Sequence, residues 1–154
     1  MEREAKPHPT MKLLKTLFFS LAVLFCAAGL RAENAAKLLL FDPTLSKTQI
    51  AFTFGGDIWI VARSGGEAHR LVTGAWQPLF SPDGSKVAFT KAVDGNTDVY
   101  VVDAAGGVPT RLTYHPEPDV ALGWTPDGTR VLFGSGRVTF RDLPQLFTVP
   151  LSGG

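Results

Sequence analysis

The chain has 154 residues, of which 45% are hydrophobic and 19% charged, with a formal net charge of +1. That length bounds it to one or two ordinary domains, and the composition is globular rather than disordered. A nearly balanced charge gives no electrostatic footprint for nucleic acid or for an anionic membrane surface.

Residues 1–10 are polar and carry two prolines, Pro7 and Pro9. A different pattern opens at Met11. Lys12 and Lys15 supply positive charge, Leu17 to Ala28 is an apolar run, and Gly29-Leu-Arg-Ala32 is a small-residue exit. This order reads as a secretory signal peptide over residues 1–32, with Met11 as an alternative start. The apolar run is short for a membrane span, so an uncleaved anchor is the alternative reading of the segment. Export places the mature chain in the periplasm or outside the cell. Cys26 is the sole cysteine and lies within the apolar run. The mature part therefore has no disulfide and no thiol chemistry. Leu24 and Phe25, just before Cys26, fit a lipid-attachment signal poorly. Residues 1–32 take five basic and two acidic residues from totals of 15 and 14, leaving 10 and 12, a net charge of −2.

From residue 37 the chain repeats itself. The first copy holds Pro43-Thr-Leu-Ser-Lys-Thr-Gln-Ile-Ala-Phe52, Asp57-Ile-Trp-Ile-Val61, Gly65-Gly66 and Arg70-Leu-Val-Thr73. The second holds Pro78-Leu-Phe-Ser-Pro-Asp-Gly-Ser-Lys-Val-Ala-Phe89, Asp98-Val-Tyr-Val-Val102, Gly106-Gly107 and Arg111-Leu-Thr113. The third holds Trp124-Thr-Pro-Asp-Gly-Thr-Arg-Val-Leu-Phe133, Leu146-Phe-Thr-Val149 and Gly153-Gly154. Gly66 to Gly107 spans 41 positions and Gly107 to Gly154 spans 47, a period suited to four-stranded propeller blades.

The second copy predicts strands at Gln77–Ser81, Lys86–Lys91, Asp98–Asp103 and Pro109–Thr113. Turns fall at Pro82-Asp83-Gly84, Asp94-Gly95-Asn96 and Ala105-Gly106-Gly107. The third strands, Ile58–Val61 and Val99–Val102, are apolar throughout, which predicts cover on both faces. The fold class is therefore all-β: β-propeller blades of four antiparallel strands, about three present. The predicted blades are residues 37–73, 76–113 and 118–154 within a partial propeller over 33–154. The last blade lacks its outer strand, which reads as the N-terminal piece of a longer protein.

Insertions at one repeat position map to one rim of such an array. Between the second and third strands, the third copy carries an insertion over residues 134–145. The connector Tyr114-His-Pro-Glu-Pro-Asp119 links the second and third copies, and such connections run on a propeller rim. The candidate partner or peptide contacts are therefore His115, Glu117, Asp119, Arg137, Arg141 and Asp142. A stiff proline-rich connector and a solvated loop explain the same residues. Asp94-Gly-Asn-Thr-Asp98 resembles the start of a calcium loop, but Val99 and Ala105 occupy positions needing glycine and glutamate, so a hairpin turn is preferred. Ser135 with His115 and Asp119 has neither the order nor the spacing of a catalytic set, and Phe133 stands where a nucleophile elbow needs glycine. No histidine or cysteine pair has metal-ligand spacing, and no cofactor or metal is expected.

Several phrases resemble the opening of the tricorn-type serine peptidases: Gly56-Asp-Ile-Trp-Ile-Val61, Gly65-Gly-Glu67 with Arg70-Leu71, Gly95-Asn-Thr-Asp-Val-Tyr-Val101, Arg111-Leu-Thr-Tyr-His-Pro116, Gly123-Trp-Thr-Pro-Asp-Gly128 and Gln145 to Gly154. Ser-Pro-Asp-Gly alone is shared with TolB-like propellers. The resemblance implies a large, multi-domain peptidase, a hydrolase, in which propellers precede a PDZ domain and a distant catalytic domain. None of that family's catalytic residues can be carried onto this chain. The implied role is to guide or filter peptides, with peptides or the remaining peptidase domains as partners and self-association as a further expectation. The alternative is a TolB-like periplasmic interaction module without enzyme activity.

Overall fold

The turn chemistry of the repeat closes one hairpin after another, and the hairpins add up to three separate sheets. The computed structural model describes residues 39–138 and 143–154; the predicted signal segment lies outside them. The first sheet runs β1 (Phe41–Leu45), β2 (Gln49–Phe54), β3 (Asp57–Ala62) and β4 (His69–Val72). The second runs β5 (Ala75–Phe80), β6 (Lys86–Val93), β7 (Asn96–Asp103) and β8 (Thr110–Arg111). The third runs β9 (Asp119–Trp124), β10 (Arg130–Ser135) and β11 (Gln145–Pro150). Strand order within each sheet follows the sequence, and every pairing is antiparallel. These meanders bear out the all-β blade architecture. No helix occurs among the described residues.

The central hairpins of the first two sheets turn on two residues with positive φ, Gly55-Gly56 (62° and 81°) and Asp94-Gly95 (52° and 82°). Such turns match the twist of the flanking strands. The second hairpin is accordingly tighter than expected, with Lys86–Val93 paired against Asn96–Asp103 residue for residue.

Stacking follows the pleat. Alternate residues of β6 and β7 point to opposite sides of the second sheet. Val87, Phe89, Tyr100 and Val102 join Ala51, Ile58, Ile60 and Val72 in a core between the first and second sheets. Ala88, Val99 and Val101 join Ala121, Val131, Phe133 and Val149 in a core between the second and third. Asp98 through Val102 is thus buried without a break. The expectation of two covered faces holds there but not for β3, where Ile58 and Ile60 are buried while Trp59 and Val61 stay half-exposed. The physical reason is position: only the second sheet has a described neighbour on each side.

Two contacts fix the stack along the rim carrying the β1–β2, β5–β6 and β9–β10 turns. A Cβ built on Gly84 would lie 2.9 Å from Ser46 Cβ, and one on Gly128 would lie 3.5 Å from Pro82 Cδ. Each turn therefore rests on the turn of the preceding sheet. Within the turns, Ser81 Oγ donates to Asp83 Oδ1 at 2.6 Å, while the Lys86 amide donates to Ser81 Oγ at 2.9 Å. Thr125 and Asp127 repeat the arrangement at 2.6 Å, with the Arg130 amide at 3.1 Å. These bonds stabilise the ionised carboxyls. Asp83 is held down to about 2, chiefly by the Ser81 hydroxyl and then by Ser85. Asp127 is lowered chiefly by the Thr125 hydroxyl.

Candidate partner-contact rim

The opposite rim carries the β2–β3, β6–β7 and β10–β11 connections together with the links between sheets. Here the third strand of each complete sheet carries an aspartate at or near its start, Asp57 in β3 and Asp98 in β7, and the fourth strand supplies an arginine to it. Asp57 Oδ2 accepts from Arg70 at 3.2 Å, and Asp98 Oδ2 accepts from Arg111 at 2.5 Å. Environment separates the two pairs. The side chains of Arg70 and Asp57 are 54% and 22% exposed, whereas Asp98 is 1% exposed. Asp57 is lowered first by the Gly74 amide that donates to it. Asp98 also accepts from Asn96 Nδ2 at 2.9 Å and from Thr113 Oγ1 at 3.2 Å. The Asp94–Asp98 run, once weighed as a calcium loop, is thus a hairpin turn followed by a latch. No cluster with metal-binding composition occurs among the described residues.

That latch fastens the connector. Arg111 Nε donates to the Thr113 carbonyl at 2.8 Å, and its guanidinium sits 4.7 Å from the Tyr114 ring centroid. Asn96 Nδ2 donates to the His115 carbonyl at 2.9 Å, and the Glu117 amide donates to His115 Nδ1 at 3.1 Å. His115 is left half-buried, with Glu117 exposed beside it.

Two of the six candidate residues meet each other. Arg137 donates to Asp119 Oδ2 at 2.6 Å and, through Nε, to Ser135 Oγ at 3.1 Å. Its guanidinium lies 5.0 Å and 5.2 Å from the ring centroids of Phe133 and Phe147. Asp119 is fully buried, and its Oδ1 has no hydrogen-bond partner among the described residues. Such a pair locks β9 and β10 at the rim. It presents the exposed part of Arg137, not Asp119, to solvent. Arg141 and Asp142 lie outside the described residues. Ser135 is 1% exposed and is engaged by Arg137, and the described ring bond of His115 goes to the Glu117 amide. The residues of the weighed Ser/His/Asp set are therefore tied into other contacts.

Sequence reasoning missed a groove along the first strands. Asp42-Pro43-Thr44, Gln77-Pro78-Leu79 and Ala121-Leu122 line a hollow of about 220 Å³ where β1, β5 and β9 lie side by side. Asp42 and Gln77 have φ of 49° and 53°, and each sits in a bulge of its strand. Positive φ is uncommon outside glycine, so the bulges are specific features that aim these residues. The sequence carried no signal for these bulges, because a following proline biases a residue toward extended backbone rather than toward positive φ.

Comparison with known proteins agrees with this geometry. Residues 37–154 match the tricorn protease N-terminal beta propeller domain. The chain is 38% identical over 128 residues to tricorn protease homolog 1 of Streptomyces coelicolor, covering 79% of this chain and 12% of that protein. It is 23% identical over 120 residues to a putative tricorn-like protease N-terminal subunit of Sulfurisphaera tokodaii, covering 73% of this chain and 60% of that one. The chain thus spans only part of each of these relatives. Among solved structures, TolB from Acinetobacter baumannii superposes with a TM-score of 0.62 at 26% identity, covering 72% of this chain and 29% of that one. Blades, latches and family match converge: the chain belongs to the tricorn protease N-terminal beta propeller domain family.

Proposed function

We propose that this chain is the non-catalytic N-terminal propeller segment of an exported tricorn-like serine peptidase, and that it guides or filters peptides on the way to a catalytic centre elsewhere. The observation that carries the reading is the groove along β1, β5 and β9, which is lined by bulged polar residues of successive sheets. A hollow that runs along neighbouring strands suits an extended peptide, which binds such surfaces through main-chain hydrogen bonds. His115, Glu117 and the exposed part of Arg137 stand at the rim where the links between sheets arrive. The remaining domains of the peptidase are its partners in the same reading, and the signal-like pattern of residues 1–32 supports export to the periplasm or outside the cell.

Fluorescence anisotropy of labelled peptides titrated with the full chain tests the role. Saturable binding without cleavage is expected, weakened several-fold by Gln77→Ala. Cleavage by the chain alone, or no binding of any peptide in a mixed library, overturns it. Fractionation of the source cells tests export: recovery in the cytoplasm with an intact N-terminus sinks that part.

A further inference from the structure

An Asp-Gly pair is open to spontaneous rearrangement, because glycine puts no side chain around the backbone nitrogen that can attack the neighbouring carboxyl. Among the described residues the pairs are Asp83-Gly84, Asp94-Gly95 and Asp127-Gly128, each in a hairpin turn. Their surroundings differ. Asp83 accepts from Ser81 Oγ, the Ser85 amide and Ser85 Oγ at 2.6, 3.0 and 2.8 Å. Asp127 accepts from Thr125 Oγ1, the Thr129 amide and Thr129 Oγ1 at 2.6, 3.1 and 2.9 Å. The Gly84 and Gly128 amides donate to the Ser81 and Thr125 carbonyls, both at 2.8 Å. Both glycines are half-buried against the turn of the preceding sheet, Gly84 on Ser46 and Gly128 on Pro82. In these turns the carboxylate is pinned as an ionised acceptor, and the nitrogen that would attack it is already engaged.

Asp94-Gly95 lacks these restraints. Both residues are exposed, and a Cβ built on Gly95 would meet nothing within 4 Å. Among the described residues, neither the Asp94 carboxyl nor the Gly95 amide has a hydrogen-bond partner; the neighbouring Asn96 amide is turned to Asp98 and to the His115 carbonyl. An exposed hairpin tip opens before the strands behind it, which gives this backbone room to rotate into the geometry of attack. We infer that Asp94 is a site of spontaneous isoaspartate formation, and that the Ser-Pro-Asp-Gly and Thr-Pro-Asp-Gly turns are protected from it. The Gly95 nitrogen attacks the Asp94 side-chain carbonyl carbon. Its proton and the carboxyl hydroxyl leave together as water, closing a succinimide ring. Water then adds to one of the two ring carbonyls and reopens the ring. One opening restores aspartate, and the other routes the backbone through the side chain. One water is lost and one regained, with no oxidant or further reactant. The isoaspartyl link adds a backbone atom to a two-residue turn that pairs Val93 with Asn96. Because Asn96 holds both Asp98 and the His115 carbonyl, the modification loosens the latch of the connector. The inference does not rest on the peptide-guiding role.

Trypsin places the three pairs in separate peptides, residues 71–86, 92–111 and 112–130. The full chain is held at neutral pH for several weeks, folded or in guanidinium chloride, then digested, and electron-transfer fragmentation locates isoaspartate. In the folded chain, conversion at Asp94 should exceed that at Asp83 and Asp127 several-fold; in the denatured chain the three should converge. Comparable conversion at all three in the folded chain overturns the inference. So does an unconverted Asp94, or an unchanged ratio in guanidinium chloride, which would assign the difference to flanking residues rather than to the fold. Deuterium exchange of the isolated isoaspartyl chain reads the latch: faster exchange across Thr113 to Asp119 is expected, and an unchanged rate overturns that effect. Ser81→Ala combined with Ser85→Ala should raise conversion at Asp83 in chains that near-UV circular dichroism shows to be folded, and no rise would overturn the protective role of those hydroxyls.

Discussion

Thr53 and Thr90 occupy the same repeat position, and replacing each by valine should change stability in opposite directions. Thr90 is fully buried, and its Oγ1 accepts the Ala121 amide at 3.0 Å, tying the second sheet to the first strand of the third. Valine keeps the shape and removes the acceptor. The buried amide is then orphaned, at a cost of about 1–3 kcal/mol. Thr53 is 8% exposed, and its Oγ1 has no partner among the described residues. Its hydroxyl already incurs an uncompensated burial cost of roughly 1–3 kcal/mol, which valine removes. The residue that would correspond to Ala121 is Gln77, whose bulge at φ 53° replaces the regular strand. Urea unfolding of the full chain, followed by tryptophan fluorescence, measures both. With m near 2 kcal/mol/M, Thr90→Val should lower the midpoint by ~0.5–1.5 M and Thr53→Val should raise it by up to a comparable amount. Protein concentration is held constant, because association shifts apparent stability. Equal losses at both sites would refute the reasoning, since the bond across the sheets would then not distinguish them.

Gly84→Ala should cost about 2–5 kcal/mol, combining roughly 1–2 for a side chain at positive φ with roughly 1–3 for the close approach to Ser46. Gly128→Ala meets Pro82 at an ordinary 3.5 Å, so only the backbone cost of about 1–2 kcal/mol applies, and equal thermal shifts would dismiss the turn-on-turn contact. Arg111→Ala leaves the buried Asp98 carboxyl without its cation and should cost about 3–5 kcal/mol, whereas Arg70→Ala, in the exposed version of the latch, should cost less than about 1 kcal/mol. A double-denaturation series that ranked them the other way would contradict the burial argument. The depressed Asp83 carboxyl stabilises the folded chain above its unfolded value of 3.8, and that contribution is lost as pH falls toward its folded value of about 2. Asp83→Asn should therefore flatten the fall in stability between those pH values, and an unchanged acid profile would exclude the turn as its source.

The blades were legible because their information is local. Ser-Pro-Asp-Gly and Thr-Pro-Asp-Gly specify turns, and the Ala-Phe and Val-Tyr-Val runs specify paired strands. The Asp–Arg latch was equally present in the residues, as Asp57 with Arg70 and Asp98 with Arg111, each thirteen positions apart. It went unread because its meaning depends on burial, which differs between two identical spacings. The Asp119–Arg137 pair was less legible still. Both residues stood out as candidate contacts, yet only the antiparallel pairing of Ser135 with Asp119 brings the arginine back over β9. Gln77 and Asp42 needed the strand bulges themselves, and bulges are set by how neighbouring sheets fit rather than by a dipeptide.

The two rims divide the work of the array. On the Ser-Pro-Asp-Gly side, each turn rests on the one before it, at 2.9 Å for Gly84 and 3.5 Å for Gly128, so an inserted residue would break the stack. On the opposite side, the central connection is only Gly55-Gly56 in the first sheet and Asp94-Gly95 in the second, yet it spans residues 136–144 in the third while the strands keep their pairing. Tolerance of length is what loops carrying recognition require. The buried latches, Asp98–Arg111 and Asp119–Arg137, stand at the foot of that variable rim; Arg111 comes from the fourth strand of its sheet, whereas Arg137 comes from the long connection itself and ties it back to β9. The surface around His115 and Glu117 can therefore vary while the stacking contacts on the far rim stay fixed.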